Sequence, residues 1–385
     1  MALTVTTLST NLQNAYTAGK PILLSKNILA GQETSDVTGG TGPETAISAV
    51  WRNGRAKDAL LPEDINATVL SDVTDLAQCP LRAFDYNLSG LTGPWASAFN
   101  STSISDGSPA SYLFCRGDQT QSFDSVVLAN HNFVDIQSAI LEQDSSAVLF
   151  VEVYASDVNT FAGGPTNTRK LVRWEPGVTP GLSSFTDERL VCLDLGTSGS
   201  QLGGYPSGYL GKFNVISGAE FFQLVIGVNS TSVSFIPSPQ IGELFIGPRR
   251  QLSRNPTFES WLDGPDIESD VSEFTSRSGI KTRYGIALGK SIYSPTFTPN
   301  GDAVQGTTDL YSLDDLATLE QFWEDTKYGA NGFFLIPEPS ASPTVDAPFC
   351  ITTDAFFPAQ MQGGLTDREV SFEFEELPPY TREEG

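Results

Sequence analysis

The sequence predicts a mainly β protein made of two antiparallel β-sandwiches, and three observations carry that prediction. The apolar runs Ser146–Tyr154, Leu171–Trp174, Arg189–Leu195, Glu220–Val228 and Ile241–Ile246 are short and rich in β-branched and aromatic residues. Gly, Pro, Ser or Asn bounds each of them, as turns bound strands. No amphipathic helical pattern alternates with them, which argues against a parallel βαβ sheet. Several runs are almost continuously apolar, as strands are when a second layer covers them.

Residues 1–45 have a different texture. They are rich in Thr, Ser and Gly, with short apolar runs only at Pro21–Leu24 and Ile28–Leu29 and a polar stretch at Gln32–Pro43. So little apolar surface cannot fold alone, so an extended N-terminal arm is expected. Such an arm would clasp a neighbouring subunit, and its removal would leave the rest folded.

Residues 46–250 carry the runs above and are expected to form a jelly-roll β-sandwich. A boundary follows Gly247-Pro-Arg-Arg250, because 251–278 is polar and turn-rich, with aromatic islands at Phe258–Leu262 and Phe274. Residues 251–385 are expected to form the second sandwich. Its strands are Lys281–Leu288, Ser291–Thr298, Phe333–Ile336 and Glu369–Glu375, the last with Val370, Phe372 and Phe374 alternating as in a half-buried strand.

The chain's one convincing helix is expected over residues 312–327. Ser312 is a good N-cap, and Asp314 and Asp315 suit the positive end of the dipole. Leu313, Leu316, Leu319, Phe322 and Trp323 share one face. Lys327 falls in the last turn and Gly329 at the C′ position.

Charge narrows the function classes. The 385 residues include 46 acidic and 22 basic side chains, a net charge of −24. Phosphate neutralisation needs clustered Lys and Arg, so direct nucleic-acid binding and docking on an anionic membrane are both disfavoured. Apolar content of 39% with 10% aromatic residues is enough for a real core. No apolar run reaches the roughly 18 residues of a membrane span, so membrane insertion is not expected. The N-terminal MALTVTTLST lacks the basic and apolar regions of a secretory signal. Cys79, Cys115, Cys192 and Cys350 lie far apart, without the close pairs of zinc or redox sites, and read as buried small hydrophobes made in a reducing cytoplasm.

The residues that could carry chemistry have plainer explanations. His131, the single histidine, reads as a polar turn residue at the head of a strand, and no nucleophile elbow accompanies it. Asp187-Glu188 and Asp314-Asp315 suit a turn and a helix start, and sequence cannot place two carboxylates across a cleft. The glycines at Gly39–Gly42, Gly163-Gly164 and Gly196–Gly211 lack the strand–helix context of a phosphate loop. Arg116-Gly-Asp118 follows an apolar run and reads as a turn. Spare carboxylates leave room for a structural calcium ion in the jelly roll, with no ligand residues assigned. No catalytic, cofactor-binding or metal-ligating residue is assigned, and an enzyme is not expected.

Two stretches resemble known families. From Tyr284 to Leu377 the order is a Tyr311-Ser-Leu step, the Asp315–Trp323 helix, a glycine turn, a Gly332–Pro337 strand and a Val370–Glu376 strand. That order resembles the minor tail proteins of long-tailed bacteriophages, the lambda-type tail-tip proteins related to distal tail proteins. The resemblance implies a sandwich with one flanking helix that assembles into a ring continuing the tail tube. The middle of the chain, with Ser48–Arg52, Val126–Phe133, Ala219–Ile226 and Ile241–Gly247, is similar to the discoidin-like jelly rolls that recur in phage virion proteins.

The expectation is therefore a bacteriophage virion structural protein of the tail tip or baseplate, made in the host bacterial cytoplasm. Its partners would be copies of itself in a ring and adjacent tail or baseplate proteins. Part of the acidic surface would line a channel that lets DNA pass without sticking. One alternative is a carbohydrate-binding adhesion module for a host surface glycan, with Trp95, Tyr205 and Tyr209 as stacking candidates. Another is a capsid decoration or head–tail connector protein.

Overall fold

The computed structural model describes residues 21–30, 34–37, 83, 86, 95–96, 102–103, 109–118, 121–156, 168–178, 182, 184–185, 189–192, 219–234, 236–251, 256, 266–268, 271–275, 281–285, 290–297, 313–337, 347–352, 359–360 and 368–377. These residues are mainly β, every strand pairing is antiparallel, and two helices stand among them. Two compact units divide the chain. A split unit comprises Met1–Ser25, Arg250–Pro339 and Ala347–Pro378, and a central unit comprises Lys26–Arg249 with Ser340–Asp346 and Pro379–Gly385.

Among the described residues the central unit contains two sheets. The first runs Thr34–Val37, Pro109–Arg116, Phe221–Val228, Leu149–Ser156, Thr168–Trp174, with Thr102–Ser103 also paired to Pro109–Arg116. The second runs Trp95–Ala96, Gln240–Gly247, Ser125–His131, Arg189–Cys192. Side chains of both sheets, among them Val151, Val153, Leu224, Leu128, Leu244 and Ile246, belong to one buried cluster. Each apolar residue so placed is removed from water at roughly 25 cal/mol per Å² of apolar surface. A bulge interrupts the last pairing of the first sheet. Val153 faces Val172 and Tyr154 faces Lys170, so Leu171 is the extra residue and both Leu171 and Val172 turn into the core.

A helix over Phe133–Gln143 follows directly from the strand Ser125–His131. The sequence reading placed a strand head here, and the structure corrects it: His131 ends a strand and Asn132 opens a helix. Phe133, Ile136 and Ile140 are its buried residues, at the spacing of a single helical face. The Asn132 side chain does not cap the helix. It donates to the Ser238 carbonyl at 3.0 Å and accepts from the Gln240 N–H at 2.8 Å, fastening the helix start to the neighbouring chain segment. The Gln137 side chain accepts from Leu149 N–H at 2.9 Å and donates to the Ala147 carbonyl at 3.3 Å, fixing the return into the next strand.

The split unit has a seven-stranded sheet in the order Arg250–Gln251, Ile22–Leu24, Phe333–Ile336, Phe349–Thr352, Phe374–Glu376, Lys290–Tyr293, Asp266–Glu268. Smaller pairings join Val271–Thr275 to Lys281–Gly285, and Arg368–Ser371 to both Thr296–Phe297 and Ala359–Gln360. The helix Leu313–Asp325 lays Leu319 and Phe322, with Leu316 and Trp323 beside them, onto a cluster containing Leu23, Phe333, Leu335, Phe372 and Phe374.

Three expectations change here. Residues 21–30, the described part of the expected arm's middle, pair and pack within the chain. Ile22–Leu24 is an interior strand of the split unit, pairing with Arg250–Gln251 on one side and Phe333–Ile336 on the other. Three consecutive apolar residues are too few for a core of their own but enough to complete a sheet whose neighbours are already apolar. In the central unit, Ile28 and Leu29 join the main core. The rest of the expected 1–45 arm lies outside the described residues, apart from the strand Thr34–Val37. The helix ends at Asp325 rather than at 327, so Lys327 stands beyond it. The run Glu369–Glu375 breaks at Phe372, whose N–H turns to the Pro295 carbonyl at 3.0 Å, leaving strands on either side.

Candidate functional site

His131 has its ring stacked on Phe133 at 4.2 Å between centroids, with Phe185 edge-on at 6.5 Å. Its Nδ1 accepts weakly from the Phe133 N–H at 3.4 Å, and among the described residues its buried Nε2 has no hydrogen-bond partner. Burial pushes its pKa down to about 3, so the imidazole is neutral at ordinary pH. In that neutral form the ring packs as aromatic surface against Phe133 and Phe185.

Asp124 and Arg249 form a buried ion pair at 3.1 Å. The carboxylate also accepts from Arg249 N–H at 3.0 Å and from Ser125 Oγ at 2.8 Å. Burial raises the Asp124 pKa, and the arginine and its hydrogen bonds offset only part of that. Glu243, fully buried, accepts from Asn27 Nδ2 at 2.8 Å and from Tyr86 N–H at 3.1 Å. Asn27 in turn donates to the Leu244 carbonyl and accepts from Leu29 and Ile246 N–H. This amide is a clasp that carries the segment Lys26–Ala30 along the strand Gln240–Gly247.

Among the described residues, a charged cluster lies around Glu152, on the first sheet. Leu149, Val151 and Val153 turn into the core, so the alternate residues Phe150, Glu152 and Tyr154 share the opposite face. Glu152 Oε1 meets Lys170 Nζ and Arg173, each at 2.5 Å, and Oε2 accepts from Tyr154 O–H at 2.5 Å. Arg173 also bonds Glu175 at 2.6 Å and stacks over the Phe150 ring at 4.3 Å. Burial alone would raise the Glu152 pKa, but Lys170, Tyr154 and Arg173 outweigh it and hold the carboxyl below its ordinary value. A general acid needs the opposite shift. The cluster is thus a matched ion network on a sheet face, positioned by strand alternation and by the bulge at Leu171.

The other sequence candidates separate. Arg116 ends a strand, Gly117 N–H donates to Glu220 carbonyl at 2.7 Å, and Asp118 N–H donates to Ile28 carbonyl at 2.9 Å, so the tripeptide runs on from the strand into the unit instead of forming the expected turn. Trp95 sits on a two-residue strand paired to Ile241. Tyr205, Tyr209, Cys79, Asp187 and Glu188 lie outside the described residues. Cys115, Cys192 and Cys350 are buried, as expected of small hydrophobes. Among the described residues, no group of three or more His, Cys, Asp and Glu stands close enough to hold a metal ion. The helix at Phe133–Gln143 was the element sequence reasoning missed, and the 133, 136, 140 spacing was the signal that could have found it.

Compared with protein-family models and with curated proteins, the chain matches none.

Proposed function

We propose that this chain is a structural, self-assembling component of a bacteriophage virion, at the tail tip or baseplate. Each unit would act as a β-sandwich, the central one jelly-roll-like, and copies would join in a ring around the tail axis. The observation that carries the reading is where the reactive groups are spent. His131 is stacked on Phe133 with Phe185 edge-on, Asp124 is tied to Arg249, and Glu152 is matched by two cations. Side chains used this way hold a scaffold and present surfaces for contact. The acidic composition adds a second strand of support, because a carboxylate-rich lumen repels DNA phosphates and lets it pass.

Negative-stain electron microscopy of the purified full-length protein tests the reading. Rings with an open centre are the expected outcome. Dispersed single subunits at every concentration, together with retention on a host polysaccharide column, would move the adhesion reading ahead of it.

A further inference from the structure

Four large apolar side chains are exposed among the described residues: Val134, Leu141, Val178 and Tyr328. Three of them define two patches of complementary character. Tyr328, 71% exposed, belongs to the split unit and follows the helix Leu313–Asp325. Lys327, Tyr328 and Gly329 have φ of 49°, 61° and 85°. Glycine adopts such angles without steric cost, but lysine and tyrosine do not. Hydrogen bonds from Tyr328 N–H to the Trp323 carbonyl and from Asn331 N–H to the Thr326 carbonyl, both 2.9 Å, lock the turn. The Trp323 ring meets Tyr328 edge-on at 6.4 Å, and Lys327 beside it is exposed. Strain held in place by its surroundings, with a tyrosine and a cation displayed on it, is a reason to look for a contact.

The second patch is on the central unit's helix Phe133–Gln143. Val134 and Leu141, each 43% exposed, are two turns apart and share a face, and the residues after them, Asp135 and Glu142, are exposed acids. One patch thus presents an aromatic ring with Lys327 beside it and the exposed Glu324 one turn earlier, and the other is aliphatic with two carboxylates.

We propose that these two patches meet between copies of the chain. Tyr328 of one copy would seat on the Val134–Leu141 stripe of the next, with Lys327 facing Glu142. The occupant is a second copy because each patch supplies the apolar and charged complement of the other. Such a contact uses two different surfaces, so it is heterologous and generates a ring when the rotation closes. The inference rests on the self-assembly reading above and names its contact.

Sedimentation velocity of the full-length protein across a concentration series is the test. Lys327→Glu and Glu142→Lys should each weaken self-association by at least about tenfold, and combining them should restore it to within about threefold. Lysine at 142 lies in the last helical turn, where a cation suits the dipole, so the fold tolerates the change. Tyr328→Gly should weaken association as strongly while melting no lower than the wild type, because it releases backbone strain. Wild-type assembly left unchanged by all three variants would overturn this contact and leave the ring reading standing. A wild-type protein that stays monomeric throughout would overturn both.

Discussion

In the central unit Asp124 faces Arg249 with side chains 4% and 2% exposed, whereas in the split unit Asp325 meets Arg250, whose side chain is 26% exposed. The two pairs are of similar length, 3.1 Å and 3.0 Å, yet their surroundings differ. Asp124 carries a raised pKa because burial outweighs its arginine. Asp325 is held also by Ser25 and Gln321, and its arginine keeps contact with water. The hydrophobic clusters differ in the same sense. The central unit's buried cluster is mostly aliphatic, while the split unit interlocks rings, Phe322 on Phe333 at 4.8 Å and Phe333 on Phe374 at 4.9 Å, edge to face. The central unit thus takes its specificity from buried polar groups that must be matched, and the split unit takes it from ring geometry.

The largest expected effect tests what the units share. Deleting residues 1–30 removes an interior strand from the split unit and the Asn27 clasp from the central one. Both should lose cooperative unfolding, read as loss of the thermal transition. A cooperative melt in the deleted protein would show that 21–30 is a dispensable arm after all.

The next predictions separate the units. Phe322→Ala should cost about 3–5 kcal/mol, from lost burial plus the cavity left behind. Hydrogen exchange should show the loss in the split unit while the central unit's strands keep their protection. Arg249→Met should cost about 3–5 kcal/mol in the central unit, because it strands a buried carboxylate. The same change at Arg250 should cost only about 1–2 kcal/mol, since Asp325 keeps two other donors. Denaturant titration of the two variants checks the contrast, and equal losses would erase the distinction drawn between the pairs.

Acid sharpens the comparison further. The folded-state pKa of His131 lies below its unfolded value, so its contribution is present above about pH 6.5 and falls as pH drops toward 3. Between pH 8 and pH 4 the central unit should lose about 3 kcal/mol through this residue. Glu152 acts in the same direction, because its lowered pKa gives a contribution that is lost as pH falls below 4.5. Asp124 has the opposite sign: its raised pKa gives a contribution present below 3.8 and lost as pH rises. His131→Phe keeps the ring stack and should flatten the pH dependence of the melting temperature above pH 4. An unchanged profile would mean that His131 titrates in the folded state as it does in the unfolded chain.

Much of the β framework was readable because apolar runs bounded by turn formers leave few other solutions. Phe333–Ile336 falls at its expected limits, and Phe221–Val228 and Gln240–Gly247 within a residue of theirs. The face of the second helix, from Leu316 to Trp323, was legible from its period, but the left-handed C′ position expected at Gly329 falls at Lys327, because the helix ends two residues early. The helix at Phe133–Gln143 was missed because its first residues continue a strand without a side-chain cap, Asn132 being used across the sheet. The Glu152 network could not be read either. Its members, from 152, 154, 170, 173 and 175, come together only through strand pairing and a one-residue bulge.

Local sequence by itself determined which segments extend, where turns fall and which helical face is apolar, because those follow from side-chain period and backbone preference. Only the tertiary structure decided that Ile22–Leu24 completes a sheet with residues more than two hundred positions away, that Asp124 finds Arg249, and that Lys327 and Tyr328 are held at positive φ. Those outcomes depend on which surfaces meet. Burial gives its free energy to pairs that no local pattern specifies.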